Sequence, residues 1–298
     1  MAVEDGKTMQ MTQDQIAKLL ASRTESFERM MDDAANKGYE IVRLREANGF
    51  VARLAVKPAK DFGRGLFIIC PGGGFMFKSW NEALPVAEFF YQKGIGTAIL
   101  DYHVNPDEGM KLNAPIIRTA GEDGLEAIRY LRANAERYHI DPNHIAIGGF
   151  SAGGMLTGYA ATHYDNGDPT ATLLRRVSSR PDAALILYGA FSVTSSIPGG
   201  PGGMTADQIA EANDLDAVRN IHVGCPPMFV FQTHGDDPRI ALNFCMELAV
   251  HGVPYELHTF EDGPHGGGLY NGQNETPDVP HTALWAEIAA DWLLTRNY

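Results

Sequence analysis

Cysteine is scarce in this chain: Cys70, Cys225 and Cys245 are the only three among 298 residues. An odd number argues against a disulfide scaffold. With no C-x-x-C pair and no H-x-x-x-H-type spacing, nothing points to a zinc site. Positive charge is also short, with 24 Lys and Arg against 37 Asp and Glu and a formal net charge of −13. No basic patch is present to meet phosphate, which excludes nucleic acid as a partner and disfavours carboxylate-rich polyanions as substrates. No apolar run approaches the roughly 20 residues that cross a bilayer, so no membrane partner is expected. The stretch Met1–Lys7 lacks the charged and apolar regions of a signal peptide, and together these absences predict a cytoplasmic protein.

Apolar runs of strand length alternate with helical patterns. Leu66–Cys70, Gly96–Tyr102, Ala183–Tyr188 and Met228–Gln232 read as buried strands, as does Ile145–Ile147. Helical stretches fall between them, at Asn81–Lys93 and Ile116–Tyr138, with Ile240–Val250 and Thr282–Leu294 flanking the last strand, Tyr255–Phe260. The stripe Ile117, Ala120, Leu125, Ile128 and Leu131 follows the 3.6-residue period. Such alternation predicts an α/β fold with a mostly parallel central sheet and helices on both faces. The length suits one domain spanning 1–298, and nothing demands a second.

Glycine, by contrast, is plentiful and placed with purpose. Gly149-Phe150-Ser151-Ala152-Gly153 follows the run at Ile145 and opens a small-residue helix from Ala152 to about His163. A strand, then G-x-S-x-G, then a helix is the nucleophile elbow. The serine must stand clear of the backbone on a sharp turn, and both flanking positions must be small where strand and helix nearly collide. The helix dipole then points at the serine, where negative charge would develop.

Upstream, Leu66–Cys70 runs into Pro71-Gly72-Gly73-Gly74-Phe75. Successive glycines leave amide groups unobstructed, as an oxyanion hole requires. Gly73, Gly74 and Ala152 are the expected donors. For the base, His265 sits on the glycine-rich loop Gly263-Pro264-His265-Gly266-Gly267-Gly268, which lets it swing over a serine from another strand. His234 and His103 are the rivals near strand ends. The acid follows Met228–Gln232 in Thr233-His234-Gly235-Asp236-Asp237-Pro238. Asp236 suits the spacing from the strand end, whereas Asp237 beside Pro238 could open the next helix as a cap or first-turn acid. The chain order Ser151, Asp236, His265 is that of α/β-hydrolases.

From Leu66 onward these segments, with Asp101-Tyr102 and Gly149–Gly154, resemble the BD-FAE-like group of acetyl and carbohydrate esterases within the α/β-hydrolase fold. In hormone-sensitive-lipase relatives the motif after Asp-Tyr continues with arginine, where this chain has His103. The resemblance implies a serine carboxylesterase working by two-step acyl transfer on small acyl esters, acetylated or feruloylated sugars among them, with no metal or organic cofactor. By it Ser151 attacks the ester, His265 moves the proton, and Asp236 stabilises the imidazolium. An amidase, a small peptidase or a hydrolase-fold ligand-binding protein would share the same core.

Two segments fall outside the alternation. Residues 1–60 hold a helix opening with the capping box Thr12-Gln13-Asp14-Gln15 and running to about Asn36, then edge strands at Tyr39–Leu44 and Phe50–Val56. Phe27, Met30 and Met31 on that helix suit either core packing or a homo-oligomer contact. Residues 192–221 form a cap-like insertion, irregular through Ile197–Gly203 and then helical from a second capping box at Thr205 and Gln208. Its Gly/Pro content predicts a pocket for short acyl groups.

Overall fold

In the computed structural model, which describes residues 12–105, 114–171, 173–190, 192–193, 202 and 204–298, the apolar runs lie side by side in one sheet of eight strands. The strands are β1 (Glu40–Ala47), β2 (Phe50–Lys57), β3 (Leu66–Cys70), β4 (Gly96–Asp101), β5 (Ile145–Phe150), β6 (Ala183–Leu187), β7 (Met228–Thr233) and β8 (Tyr255–Phe260). They are ordered β1-β2-β4-β3-β5-β6-β7-β8. The β1–β2 and β2–β4 pairs are antiparallel and every other pair is parallel. Asn48 and Gly49 both take positive φ, 49° and 75°, in the two-residue turn that folds β1 onto β2.

The central strands are buried on both faces, and alternation along each strand sends its side chains to opposite layers. Phe67 and Ile69 of β3 and Phe229 and Phe231 of β7 enter one core. That core is covered by α1 (Gln13–Asn36), α2 (Leu84–Gln92) and α8 (Pro280–Leu294). Trp285 of α8 stacks on Phe231 with ring centres 5.1 Å apart. Leu66 and Ile68 face the other side, under α3 (Ala114–Ala133) and α5 (Ala152–Thr162). Met228 and Val230 pack beneath α7 (Arg239–Val250). Phe27, Met30 and Met31 of α1 are core residues.

Two expected helices are divided. Residues Asn81–Lys93 do not form one element: a 3-10 turn at Trp80–Glu82 precedes α2, which starts at Leu84 with Pro85 in its first turn. Pro85 lacks the N–H that a longer helix would need there. The Ile116–Tyr138 stretch also divides, since α3 stops at Ala133 and a short helix α4 covers Ala135–Tyr138, ending at His139 with φ 54°. The side-chain amide of Asn134 donates to the Tyr130 carbonyl at the break, a local bond that competes with continuing the helix.

Both capping boxes are present, Thr12 with Gln15 and Thr205 with Gln208, the latter opening α6 (Ala206–Leu215). Residues 194–201 and 203 of the expected insertion, and residues 1–11, lie outside the described residues. Among the described residues no helix is long and apolar enough to cross a membrane.

Candidate active site

The chain leaves β3 for β4 on one side of the sheet and returns to β5 on the other. This is a topological switch point, and in open α/β sheets ligands bind at the carboxyl ends of strands beside it. Ser151 stands there, directly after β5. It takes φ 52° and ψ −115°, a backbone that a residue with a Cβ avoids at a cost of about 1–3 kcal/mol. The surroundings impose it. The Ser151 N–H donates to the Leu187 carbonyl at 3.0 Å, and α5 begins at the next residue. A Cβ on Gly149 would lie 2.3 Å from the Gly153 carbonyl oxygen, so only glycine lets strand and helix approach this closely.

His265 reaches the serine from the loop after β8. Its Nε2 lies 2.8 Å from Ser151 Oγ, and its Nδ1 lies 2.6 Å from Asp236 Oδ2. A carboxylate only accepts, so Nδ1 carries the proton and Nε2 presents its lone pair to the serine hydroxyl. The amide of Gln232 donates to the same Asp236 oxygen at 3.2 Å. The acid and histidine loops touch so closely that a Cβ on Gly235 would lie 2.2 Å from the Gly263 carbonyl oxygen. From behind, the Tyr270 hydroxyl donates to the Pro264 carbonyl at 2.7 Å and the Trp285 indole to that of Gly268 at 3.0 Å. Burial presses the His265 pKa down, but the Asp236 hydrogen bond, the Asp236 charge and the Glu82 charge outweigh it and hold the imidazole above its ordinary value.

Asp237 is turned away and accepts from the Arg239 backbone and guanidinium. The Arg239 side chain, by those hydrogen bonds, holds its carboxyl below the usual range. Asp237 lies one residue before the N-cap position, Pro238, and its carboxylate accepts the N–H of Arg239, the first residue of α7. The rival histidines stand apart, His234 exposed beyond β7 and His103 buried beyond β4.

The glycine loop after β3 lies against the serine, since a Cβ on Gly72 would be 3.1 Å from Ser151 Cβ. Gly73 and Gly74 take φ 128° and 64°. The Gly72 amide donates inward to the Glu82 carboxylate at 2.7 Å. The amides of Gly73 and Gly74 meet no acceptor among the described residues. With Ala152, the first residue of α5 and the one directly after Ser151, they are the donors expected from the sequence, and Gly73 follows Gly72, the residue that lies against Ser151.

Two groups beside the site escaped sequence reasoning. Glu82 and Tyr188 form a buried pair, with the Tyr188 hydroxyl donating to Glu82 Oε1 at 2.6 Å. The one available signal was an acid directly before the apolar run Ala83-Leu84-Pro85-Val86. His103 also has a defined place. Its Nδ1–H donates to Asp123 at 2.6 Å, and its Nε2–H donates to the carbonyls of Ala47 and Phe50 at 2.8 and 3.1 Å. Acceptors on both sides require both ring nitrogens to be protonated. Burial lowers the His103 pKa, but the bond to Asp123 and its charge raise it more. No group of three His, Cys, Asp or Glu able to hold a metal occurs among the described residues.

Sheet order, switch point and elbow define the α/β-hydrolase fold. Residues 56–185 match the BD-FAE family model, a span that includes the glycine loop and the elbow. The chain is similar to an acetyl ester-xyloside bifunctional hydrolase from Caldicellulosiruptor lactoaceticus, with 28% identity and a TM-score of 0.75 over 86% of this chain and 96% of that one. A carboxylesterase from Lactobacillus plantarum shares the fold at 23% identity and a TM-score of 0.69, covering 87% of this chain and 97% of that one. Among curated proteins, endo-1,4-beta-xylanase B of Butyrivibrio fibrisolvens is 27% identical over 227 residues, 73% of this chain. The chain spans only 35% of that protein's length. The chain thus has the α/β-hydrolase fold, and the structures similar to it include esterases and hydrolases.

Proposed function

We propose that this chain is a serine carboxylesterase that hydrolyses short acyl esters, acetylated saccharides among them, through a Ser151–His265–Asp236 triad. The observation that carries the reading is the continuous hydrogen-bond chain from Asp236 Oδ2 through His265 to Ser151 Oγ, at 2.6 and 2.8 Å, on a strained elbow. Ser151 attacks the ester carbonyl as His265 Nε2 takes its proton, and Asp236 stabilises the imidazolium. The oxyanion is received by the amides of Gly73, Gly74 and Ala152, each donor contributing on the order of 3 kcal/mol to the transition state. His265 then passes the proton to the leaving alcohol, and water drawn through the same base releases the acid.

Acetyl esters are favoured because an acetyl ester hydrolase is among the similar structures above 25% identity. A cavity of about 750 Å³ opens on the same carboxyl edge of the sheet, lined by Phe27, Glu28, Phe50, Phe77, Lys78 and Asn105 among others, though by none of Ser151, Asp236 and His265.

The test is hydrolysis of p-nitrophenyl acetate through octanoate by the wild type and by Ser151→Ala. Acetate cleaved fastest, with the variant at background, supports the reading. Octanoate cleaved faster than acetate overturns the short-acyl assignment. No turnover of any ester by the wild type overturns the esterase assignment.

A further inference from the structure

Glu82 lies beneath the site and has no part in the acyl-transfer steps above. It is 2% exposed, and it comes from the 3-10 turn at Trp80–Glu82 that interrupts the expected helix. Both of its carboxylate oxygens act as acceptors. Oε2 receives the Gly72 N–H at 2.7 Å, and Oε1 receives the Tyr188 hydroxyl at 2.6 Å. The Tyr188 oxygen in turn receives the Gly268 N–H at 3.0 Å, and its ring meets the His265 ring edge-on, 5.1 Å between centres. One side chain therefore joins the glycine loop after β3, the end of β6 and the loop that bears His265. Space is tight on the glycine-loop side, where a Cβ on Gly72 would lie 2.6 Å from Glu82 Oε2.

The donor set describes an anion, because a proton on Oε2 would face the Gly72 N–H. A proton on Oε1 would leave the Tyr188 hydroxyl with no place to donate. Burial opposes that charge and pushes the Glu82 pKa up, while the Tyr188 and Gly72 hydrogen bonds and the His265 charge pull it back. Among the described residues no Lys or Arg pairs with Glu82, and a buried carboxylate so held needs a reason. Its charge acts on Tyr102, Tyr188, Tyr270 and His265, and of these only His265 becomes cationic, during turnover.

We propose that Glu82 is a positioning residue that holds the oxyanion loop and the histidine loop in one register and, together with Asp236, stabilises the imidazolium form of His265. The second half rests on the acyl-transfer reading of Ser151 and His265. Among the described residues, the groups facing His265 include Asp236 from the loop after β7, Glu82 from the 3-10 turn, Tyr188 from the end of β6 and Ser151 from the elbow. Tyr270 adds a hydroxyl that burial keeps protonated across the working range.

Glu82→Gln keeps the shape and removes the charge, whereas Tyr188→Phe keeps the charge and cuts the tie. The pH profile of kcat/KM for p-nitrophenyl acetate and the rate of Ser151 labelling by a fluorophosphonate are measured for both, with folding checked by circular dichroism. Glu82→Gln is expected to lower kcat about tenfold or more with KM nearly unchanged. It should also move the acid limb of the profile to lower pH by roughly half a unit or more. Tyr188→Phe should lower kcat with the limb in place. A folded Glu82→Gln protein whose acid limb stays at the wild-type position overturns the proposal, because a purely structural role would not move it. If Glu82→Gln does not fold, Tyr188→Phe decides, and a wild-type kcat there overturns it. Should the wild type cleave no ester, the esterase reading falls on its own. The labelling rate and its pH profile then carry the test of Glu82.

Discussion

A side chain on Gly153 would begin 2.0 Å from the carbonyl oxygen of Cys70, closer than any non-bonded carbon and oxygen can stand. Helix α5 and strand β3 thus meet backbone to backbone beneath Ser151. Neither can retreat, because β3 is hydrogen-bonded to β4 and β5 and all of α5 is buried. Gly153→Ala is therefore expected to cost at least about 3 kcal/mol of stability, the upper range of overpacking. Thermal melts with Gly202→Ala as the control measure it, since nothing lies within 4 Å of a Cβ there.

Two adjacent carboxylates follow β7, and only Asp236 touches the histidine, at 2.6 Å. Asp236→Asn should lower kcat for p-nitrophenyl acetate by about a thousandfold or more, through loss of the correct tautomer. Asp237→Asn, whose carboxylate is spent on Arg239, should stay within about threefold of the wild type. The reverse order of effects would transfer the acid role to Asp237.

A base that must be neutral to work and is held above its ordinary pKa moves the acid limb of activity upward. His265 is raised against burial by Asp236 and Glu82. Measured as kcat/KM against pH, activity should therefore be lost as pH falls through a midpoint above about 6.5, the unperturbed histidine value. A midpoint below 6 would contradict the carboxylate partnership.

His103 carries a stability signature of opposite sense to the activity limb. Its folded pKa is raised, so its contribution is complete below the unfolded value near 6.5 and is lost as pH rises through the folded one. Melting temperature should fall with rising pH over that window, and His103→Arg should flatten the dependence by supplying a permanent cation to Asp123. His103→Gln should cost about 2 kcal/mol below neutral pH, since it cannot donate from both sides. Differential scanning calorimetry from pH 5 to 9 reads all three proteins.

What the chain determines locally is written in short windows. Continuous apolar runs, buried along their whole length, made β3 and β7 readable, capping boxes placed the starts of α1 and α6, and Gly149, Ser151 and Gly153 declared a turn that only small flanking residues allow. Ser151, Asp236 and His265 could be singled out because each stands at a strand end in a turn with its own composition. What only the tertiary structure decided is the meeting of distant segments. In sequence, only strand spacing and the neighbouring Pro238 favour Asp236 over Asp237. The contact of Gly235 with Gly263 turns the first toward His265. Glu82 lies in a stretch that reads as ordinary helix. Its role exists only because the strand order β3-β5-β6-β7-β8 brings Gly72 after β3, Tyr188 after β6 and Gly268 after β8 around one carboxylate. Hydrogen bonds between residues 10, 106 and 80 positions apart leave no local pattern, because the partners of a buried charge are chosen by topology and not by spacing.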